Sequence, residues 1–446
     1  MRIRTMRSLF SWNKTGRLCV LAAALALLPQ GIEAQPTLDT TQFIVVGEGL
    51  AAGMADFALR EVYQDRSFPA QMARQMKTAF PQPLIESPGI GNAPGFTALP
   101  PRLPGTSQGS VRLWYPPPFP KPAPSDPTPA PSLFVFNLSV PGFRLADSLT
   151  RRPSSPLVQQ RDTLQTVTNL ILGYPAMILG RDKPLWTQAE YAVQMNPTLV
   201  LVELGYYDVL EPAVTDDPSK LPDVATFRTN FTRLLAQLNT ASPQMVVMTI
   251  PDPFDTAFFS TVATASRYTG PPVDSLIKTF RFRSDDLLTP AGMIVTGNLV
   301  LAENRDILSP LFPGLASFFP GTVVRASTQA AVRARVQALN TEINTAARAA
   351  GAIVYDLHAT FARVRARGMQ AGSKTLTADY LGGFYSLNGY YPGVTGHGLI
   401  ANELLQLLNT TYRTSFPMLD LTRISTDDPA VRFTPAIKKP VGKELQ

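Results

Sequence analysis

The chain has 446 residues, of which 45% are apolar and only 16% charged. This is enough apolar material for a sizeable core and excludes a globally disordered chain, while the length admits one large α/β domain or two ordinary ones. Lys and Arg outnumber Asp and Glu by 40 to 33, with no dense basic stripe, so nothing points to a nucleic-acid partner.

In chain order, residues 1–34 read as a secretory signal peptide. Arg2, Arg4, Arg7, Lys14 and Arg17 form a basic start, "LCVLAAALALL" a short apolar stretch, and "GIEA" ends in a small residue at Ala34. The alternative is a retained N-terminal anchor. Cleavage after Ala34 removes five basic residues and one acidic one, leaving 35 against 32 and a net charge of +3. It also removes Cys19, the only cysteine, so the exported chain has no disulfide and no thiol chemistry. No later stretch approaches the ~18 apolar residues of a membrane span. The expected location is therefore secreted, periplasmic or cell envelope. With two histidines, His358 and His397, and no ligand cluster, neither a metal nor a cofactor is expected.

Five short apolar runs predict buried parallel strands: Phe43–Val46, Leu133–Phe136, Thr198–Leu204, Met245–Ile250 and Ala352–Tyr355. Each is nearly continuous in Val, Ile, Leu or Phe, as burial on both faces requires. Helical patterns lie between them. "VATFRTNFTRLLAQLN" sets Val224, Phe227, Phe231, Leu234, Leu235 and Leu238 on one face. "TQAAVRARVQALNTEINTAARAAG" ends at Gly351, a suitable residue after a helix C-cap. "GHGLIANELLQLLN" opens at Gly396 and offers Leu399, Ile400, Leu404, Leu407 and Leu408 to the core. Strand and helix in alternation predict an α/β fold, a three-layer doubly wound parallel sheet of about five strands spanning residues 35–420. In such sheets ligands bind beyond the carboxyl ends of the strands.

Two stretches interrupt the alternation. Residues 93–131 contain 13 prolines between Pro94 and Pro131 and predict an extended surface loop, with a docking motif for a proline-reading domain as the alternative. Residues 287–324 scatter Gly and Pro among apolar residues and predict an irregular flap over the site. The polar tail after Asp420, residues 421–446, is expected to be loosely held.

Four segments fall where a site belongs: "GEGLAAG", "NLSVPG", "ELGYYDVL" and "LGGFYSLNGYYPGVTGHGLIAN". With "SFPAQMARQM", "NLSVPGFRLAD", "PTLVLVELGYYDVL", "VVMTIPDPF", "ALNTEINTAARAAGAIVYDLHATF" and "LTADYLGGFYSLNGYYP" they form an ordered set over nearly the whole exported chain. In this order and context the chain resembles the SGNH/GDSL hydrolases, secreted esterases and lipases with a flavodoxin-like sheet. The resemblance implies a G-D-S-L block with a Ser nucleophile, a Gly and an Asn as oxyanion donors, and a final D-G-x-H-P block with the triad Asp and His. Here the first block is Gly47-Glu48-Gly49-Leu50, so Gly49 stands in the serine's place. Gly142 matches the oxyanion Gly, and Tyr207 replaces the Asn. Asn388 and Tyr391 replace the Asp and His.

Each replacement removes chemistry. Gly49 cannot form an acyl-enzyme, a phenol titrating at about 10 is no base at neutral pH, and a neutral amide cannot stabilise an imidazolium. Loss of a triad leaves about 10³–10⁴-fold over water, and loss of one oxyanion donor removes a further ~10²–10³-fold. The backbone N–H groups at the turn are expected to survive and to be able to hold an anion or carbonyl oxygen. Further cleft candidates are Glu48, Asp208, Tyr206, Ser386, Tyr390 and His397. The carboxylates read as loop-holding residues rather than an acid/base pair, and His397 as a cap or packing residue of a helix start; His358 reads as a surface or packing histidine. Tyr206, Tyr207, Tyr385, Tyr390 and Tyr391 either offer aromatic faces to a sugar or acyl chain or plug the old cleft. The expected function is a catalytically degenerate exported protein binding a glycan- or lipid-ester-like ligand over Gly49, Gly142, Tyr207 and Tyr391. The alternatives are an active esterase with a relocated apparatus, Ser386 or Ser139 with His397, and a structural envelope component.

Overall fold

Apolar runs buried on both faces build the centre of the molecule. The computed structural model describes residues 37–85, 89–91, 134–157, 162–179, 184–301, 314 and 321–432. Residues 1–34, expected to be a signal peptide, the Pro-rich stretch and the last residues of the tail lie outside these. From Leu38 onward the described residues cluster as one unit.

Four parallel strands form the main sheet: β1 (Phe43–Gly47), β2 (Leu199–Glu203), β3 (Gln244–Met248) and β4 (Ile353–Tyr355), paired in that order. Val45 pairs with Leu201, Leu201 with Val246, and Val246 with Ile353. The run at Leu133–Phe136 is not a full fifth strand, and Leu133 lies outside the described residues. An edge segment slightly further along makes a single parallel bridge, Asn137 to Val45. Its backbone bonds run from Val45 N to Phe136 O (2.9 Å), Leu138 N to Val45 O (2.9 Å) and Val140 N to Gly47 O (3.1 Å). A search for apolar runs misplaces this edge because Asn137 and Ser139 belong to it. Asn137 is held there by bonds from its amide to Ala51 O and Gln82 Oε1. Pro141 then ends the pairing, since it has no N–H to donate.

Counting that edge, the segments lie in the spatial order 2-1-3-4-5. The chain leaves β1 in one direction and returns to pair on its other side. Right-handed crossovers in opposite directions place their helices on opposite faces, and the packing agrees. Helix α2 (Phe68–Met76) packs on the last long helix. A separate group contains α3 (Leu145–Thr150), α4 (Gln188–Gln194), α6 (Val224–Asn239) and α7 (Ala326–Ala349), with α5 (Tyr206–Thr215) against α7. Two further helices, α8 (Leu357–Arg367) and α9 (Val394–Tyr412), follow β4.

The helices form where local chemistry directs them. Asp223 caps α6 by accepting from Thr226 N at 2.8 Å, and Phe227, Phe231, Leu234, Leu235 and Leu238 are buried at helical spacing, with Val224 half-buried. Gly351 stands just beyond the C-cap of α7 at φ 69°. α9 opens at Val394, two residues before Gly396. It buries Leu399, Ile400, Leu404 and Leu408 as expected, buries Leu405 as well, and leaves Leu407 half-buried.

Residues 287–324 do not form an irregular flap where they are described. Leu287–Leu288 and Val323–Val324 pair antiparallel with each other, and Leu287–Leu288 also with Ser260–Thr261; Pro290–Leu301 is a helix. Apolar residues that look scattered in sequence make a second core of Val262, Ala265, Leu276, Phe280, Leu288 and Val323. The tail is also not loose up to residue 432. Leu421–Asp427 is helical, Asp428 Oδ2 accepts from Thr395 N and Oγ1 at 2.8 Å each, and Val431 is buried. Composition alone missed this because its anchors are one carboxylate and one Val. Among the described residues no helix is long and apolar enough to cross a membrane.

Candidate functional site

In the order 2-1-3-4-5 the crossovers diverge between β1 and β2, and ligand sites of such sheets form outside the carboxyl ends at that point. There β1 ends at Gly47 and β2 at Glu203. After β1 the chain makes one helical turn, α1 (Gly49–Ala52), closed by Gly53 in the left-handed region. This turn exposes backbone N–H groups that need acceptors. Two carboxylates supply them. Glu48 Oε1 accepts from Leu50 N at 3.1 Å, and Glu203 Oε2 accepts from Glu48 N at 3.2 Å and Ala51 N at 3.1 Å. Ala52 N donates to Glu48 O. The expectation that these amides remain available to an anion is thus corrected: the protein's own carboxylates fill them.

Tyr391 closes the turn from above. Its hydroxyl donates to Glu48 Oε2 at 2.6 Å, and the ring lies over Gly49. An ideal Cβ on Gly49 would meet Tyr391 Oη at 2.4 Å and Cζ at 2.6 Å, closer than atoms pack. The phenol therefore fills the space into which any side chain at residue 49 would project. Tyr391 is held by a tight loop. Asn388 Oδ1 accepts from Tyr390 N (3.1 Å) and Tyr391 N (2.9 Å), Ser386 N donates to Tyr391 O, and Tyr385 bridges Pro392. Tyr206, at the start of α5, donates its hydroxyl to Tyr390 O at 3.1 Å and meets the Tyr391 ring edge-on at 6.1 Å.

The remaining candidates support loops or lie elsewhere. Asp208 Oδ2 accepts from Leu145 N at 2.9 Å and so ties α5 to the start of α3, just after Gly142, which has φ 87°. Tyr207 is buried beside it. His397 is engaged with α2: Nδ1 accepts from Phe68 N at 3.3 Å, and the ring stacks on Phe68 at the start of that helix. Ser386 Oγ accepts from Asp56 N at 3.2 Å, and Ser139 Oγ is buried with no hydrogen-bond partner among the described residues. Neither serine is hydrogen-bonded to His397, so the structure does not bring together a relocated nucleophile and base. His358 is half-buried, its backbone N–H on Thr249 Oγ1, and Tyr385 OH donates to Asp255 O.

Burial dominates the electrostatics. Glu48 is pushed up to about 7 by desolvation, against the bonds from Tyr391, Gly49 and Leu50 that favour its anion, and the charge of Asp208 raises it further. Glu203 is raised well above the usual carboxylate range by desolvation and then by Glu48. Asp208 is pushed up to about 7 by burial, opposed by its bond from Leu145. The same cause lowers His397 to about 3 and raises the Tyr206, Tyr207, Tyr390 and Tyr391 phenols. Burial thus favours the neutral forms of the carboxylates and phenols at the turn.

From Glu48 to Tyr391 the candidate residues are all buried, so they form a packed plug rather than an open cleft. Glu203 is the member that the sequence reading missed. Its signal was present as a carboxylate ending an otherwise apolar run, "LVLVE". Among the described residues no group of three His, Cys, Asp or Glu could hold a metal ion. Comparison of the chain with protein-family models, curated proteins and solved structures gives no match.

Proposed function

We propose that this chain is an exported protein of SGNH/GDSL type whose hydrolytic centre has become a structural plug, and that it serves as a catalytically silent scaffold of the cell envelope or secreted space. One observation carries the reading: Tyr391 occupies the volume above Gly49 where a nucleophile would project, with its hydroxyl tied to Glu48. The meeting of the four sequence blocks around the ends of β1 and β2 supports the resemblance. The positions of the family's Ser and His are in contact here, as a nucleophile and its base must be.

The same plug argues against a glycan or lipid ester seated on Gly49, Gly142, Tyr207 and Tyr391, since that surface is buried in the closed protein. Short- and long-chain p-nitrophenyl esters test the proposal. The purified protein is expected to show no turnover above buffer and no gain in melting temperature with these esters. A variant with Gly49→Ser, Tyr207→Asn, Asn388→Asp and Tyr391→His is expected to regain measurable turnover. Turnover by the unaltered protein that His397→Ala abolishes would instead establish relocated chemistry.

A further inference from the structure

Two carboxylates that end on the amides of one turn, both out of water, cannot both be ionised without a counter-charge. Glu48 and Glu203 are in this position: one binds Leu50 N, the other Glu48 N and Ala51 N. The groups facing them give no cation. Tyr206, Tyr207 and Asp208 from α5 and Tyr390 and Tyr391 from the loop before α9 lie near Glu48, Glu48 is the charged neighbour of Glu203, and Arg144, which acts on Asp208 and Tyr207, is paired with Glu211. Neither carboxylate has an ion pair among the described residues.

We propose that Glu48 and Glu203 form a proton-operated latch: a proton retained by the pair keeps the turn from Gly47 to Gly53 closed under Tyr391, and its release to solvent opens the turn. When both are anions, their repulsion and the lack of water favour the arrangement in which Glu48 swings out. That motion breaks the Tyr391 bond, frees Leu50 N and uncovers the space over Gly49. The latch makes the plug conditional, closed in acid and released towards alkaline pH. It goes beyond the loss of hydrolysis, and its test reads amide protection rather than turnover.

Hydrogen exchange at the Leu50 amide of the intact protein, corrected for intrinsic rates, decides it. One proton released on opening raises the open population about tenfold per pH unit, so protection is expected to fall by about that factor per unit between pH 5 and 7. Glu203→Gln removes the second charge and is expected to flatten this dependence. Tyr391→Phe keeps the ring but removes the bond that favours ionised Glu48, so its closed form holds the proton to higher pH and the fall extends upward. This variant carries the test should Glu203→Gln not fold. Protection that is independent of pH in the unaltered protein, or a dependence unchanged in whichever variants fold, would overturn the latch.

Discussion

At residue 49 any side chain beyond hydrogen must displace the Tyr391 phenol, because a Cβ would lie 2.4 Å from Oη. Gly49→Ala alone is therefore expected to destabilise the protein by ~1–3 kcal/mol through overpacking. Tyr391→Ala alone is expected to cost ~3–5 kcal/mol through the cavity it leaves. The double variant is expected to cost less than the sum, with a coupling of ~0.5–3 kcal/mol, since the new methyl enters the vacated space. Urea unfolding of the four proteins measures this, and strict additivity would mean that the two residues do not share that space. That Gly49, Tyr207, Asn388 and Tyr391 depart from the pattern the chain resembles is legible one by one in the sequence. Their fit to one another is not, because a steric match belongs to a pair of residues.

Elements show the same division. The faces of α6 and α9 follow from their periodicity, and the buried residues are mainly those the spacing selects. The docking of the tail is different. It depends on Asp428, whose carboxylate is buried and binds Thr395 twice at the start of α9. Asp428→Ala leaves that N–H and hydroxyl without their acceptor, at an expected cost of ~1–3 kcal/mol. The loss should be local, with the exposed Arg423 becoming open to trypsin while the main sheet remains folded. Timed limited proteolysis followed by mass spectrometry checks this, and an unchanged cleavage rate at Arg423 would show that Val431 and its neighbours hold the tail without the carboxylate.

For the whole molecule the buried titratable groups work against one another. Glu48, Glu203 and Asp208 bind protons more tightly folded than unfolded, so their stabilisation is present below their unfolded values and is lost as pH rises, for Glu48 and Asp208 through about 7. His397 has the opposite sign. Lowered from 6.5 to about 3, it contributes stability above 6.5 that is lost as pH falls. Between these limits the carboxylates gain on acidification while one histidine loses, by about 1.4 kcal/mol for every tenfold difference in proton affinity between the folded and unfolded chain. Stability is therefore expected to rise as pH falls from 7, to peak at about pH 4–5, and then to decline. The urea midpoint followed against pH measures this, and a midpoint climbing steadily from pH 5 to 8 would contradict it. His397→Phe, which removes the opposing group, should move the peak to lower pH.

The parallel strands and the long helices could be read along the chain, because strand and helix periodicities are properties of neighbours in sequence. How the residues around Gly49 meet is decided only once the chain is folded. Glu48 and Tyr391 meet across 343 residues, and His397 finds Phe68 across 329. Glu203 reaches the turn only because β2 pairs beside β1. Such contacts depend on strand order and on which side chains share a buried volume, and local patterns carry neither. The edge beside β1 and the docked tail were misread for the same reason: their anchors, Asn137 and Asp428, are polar residues whose burial is compensated by hydrogen bonds to distant backbone.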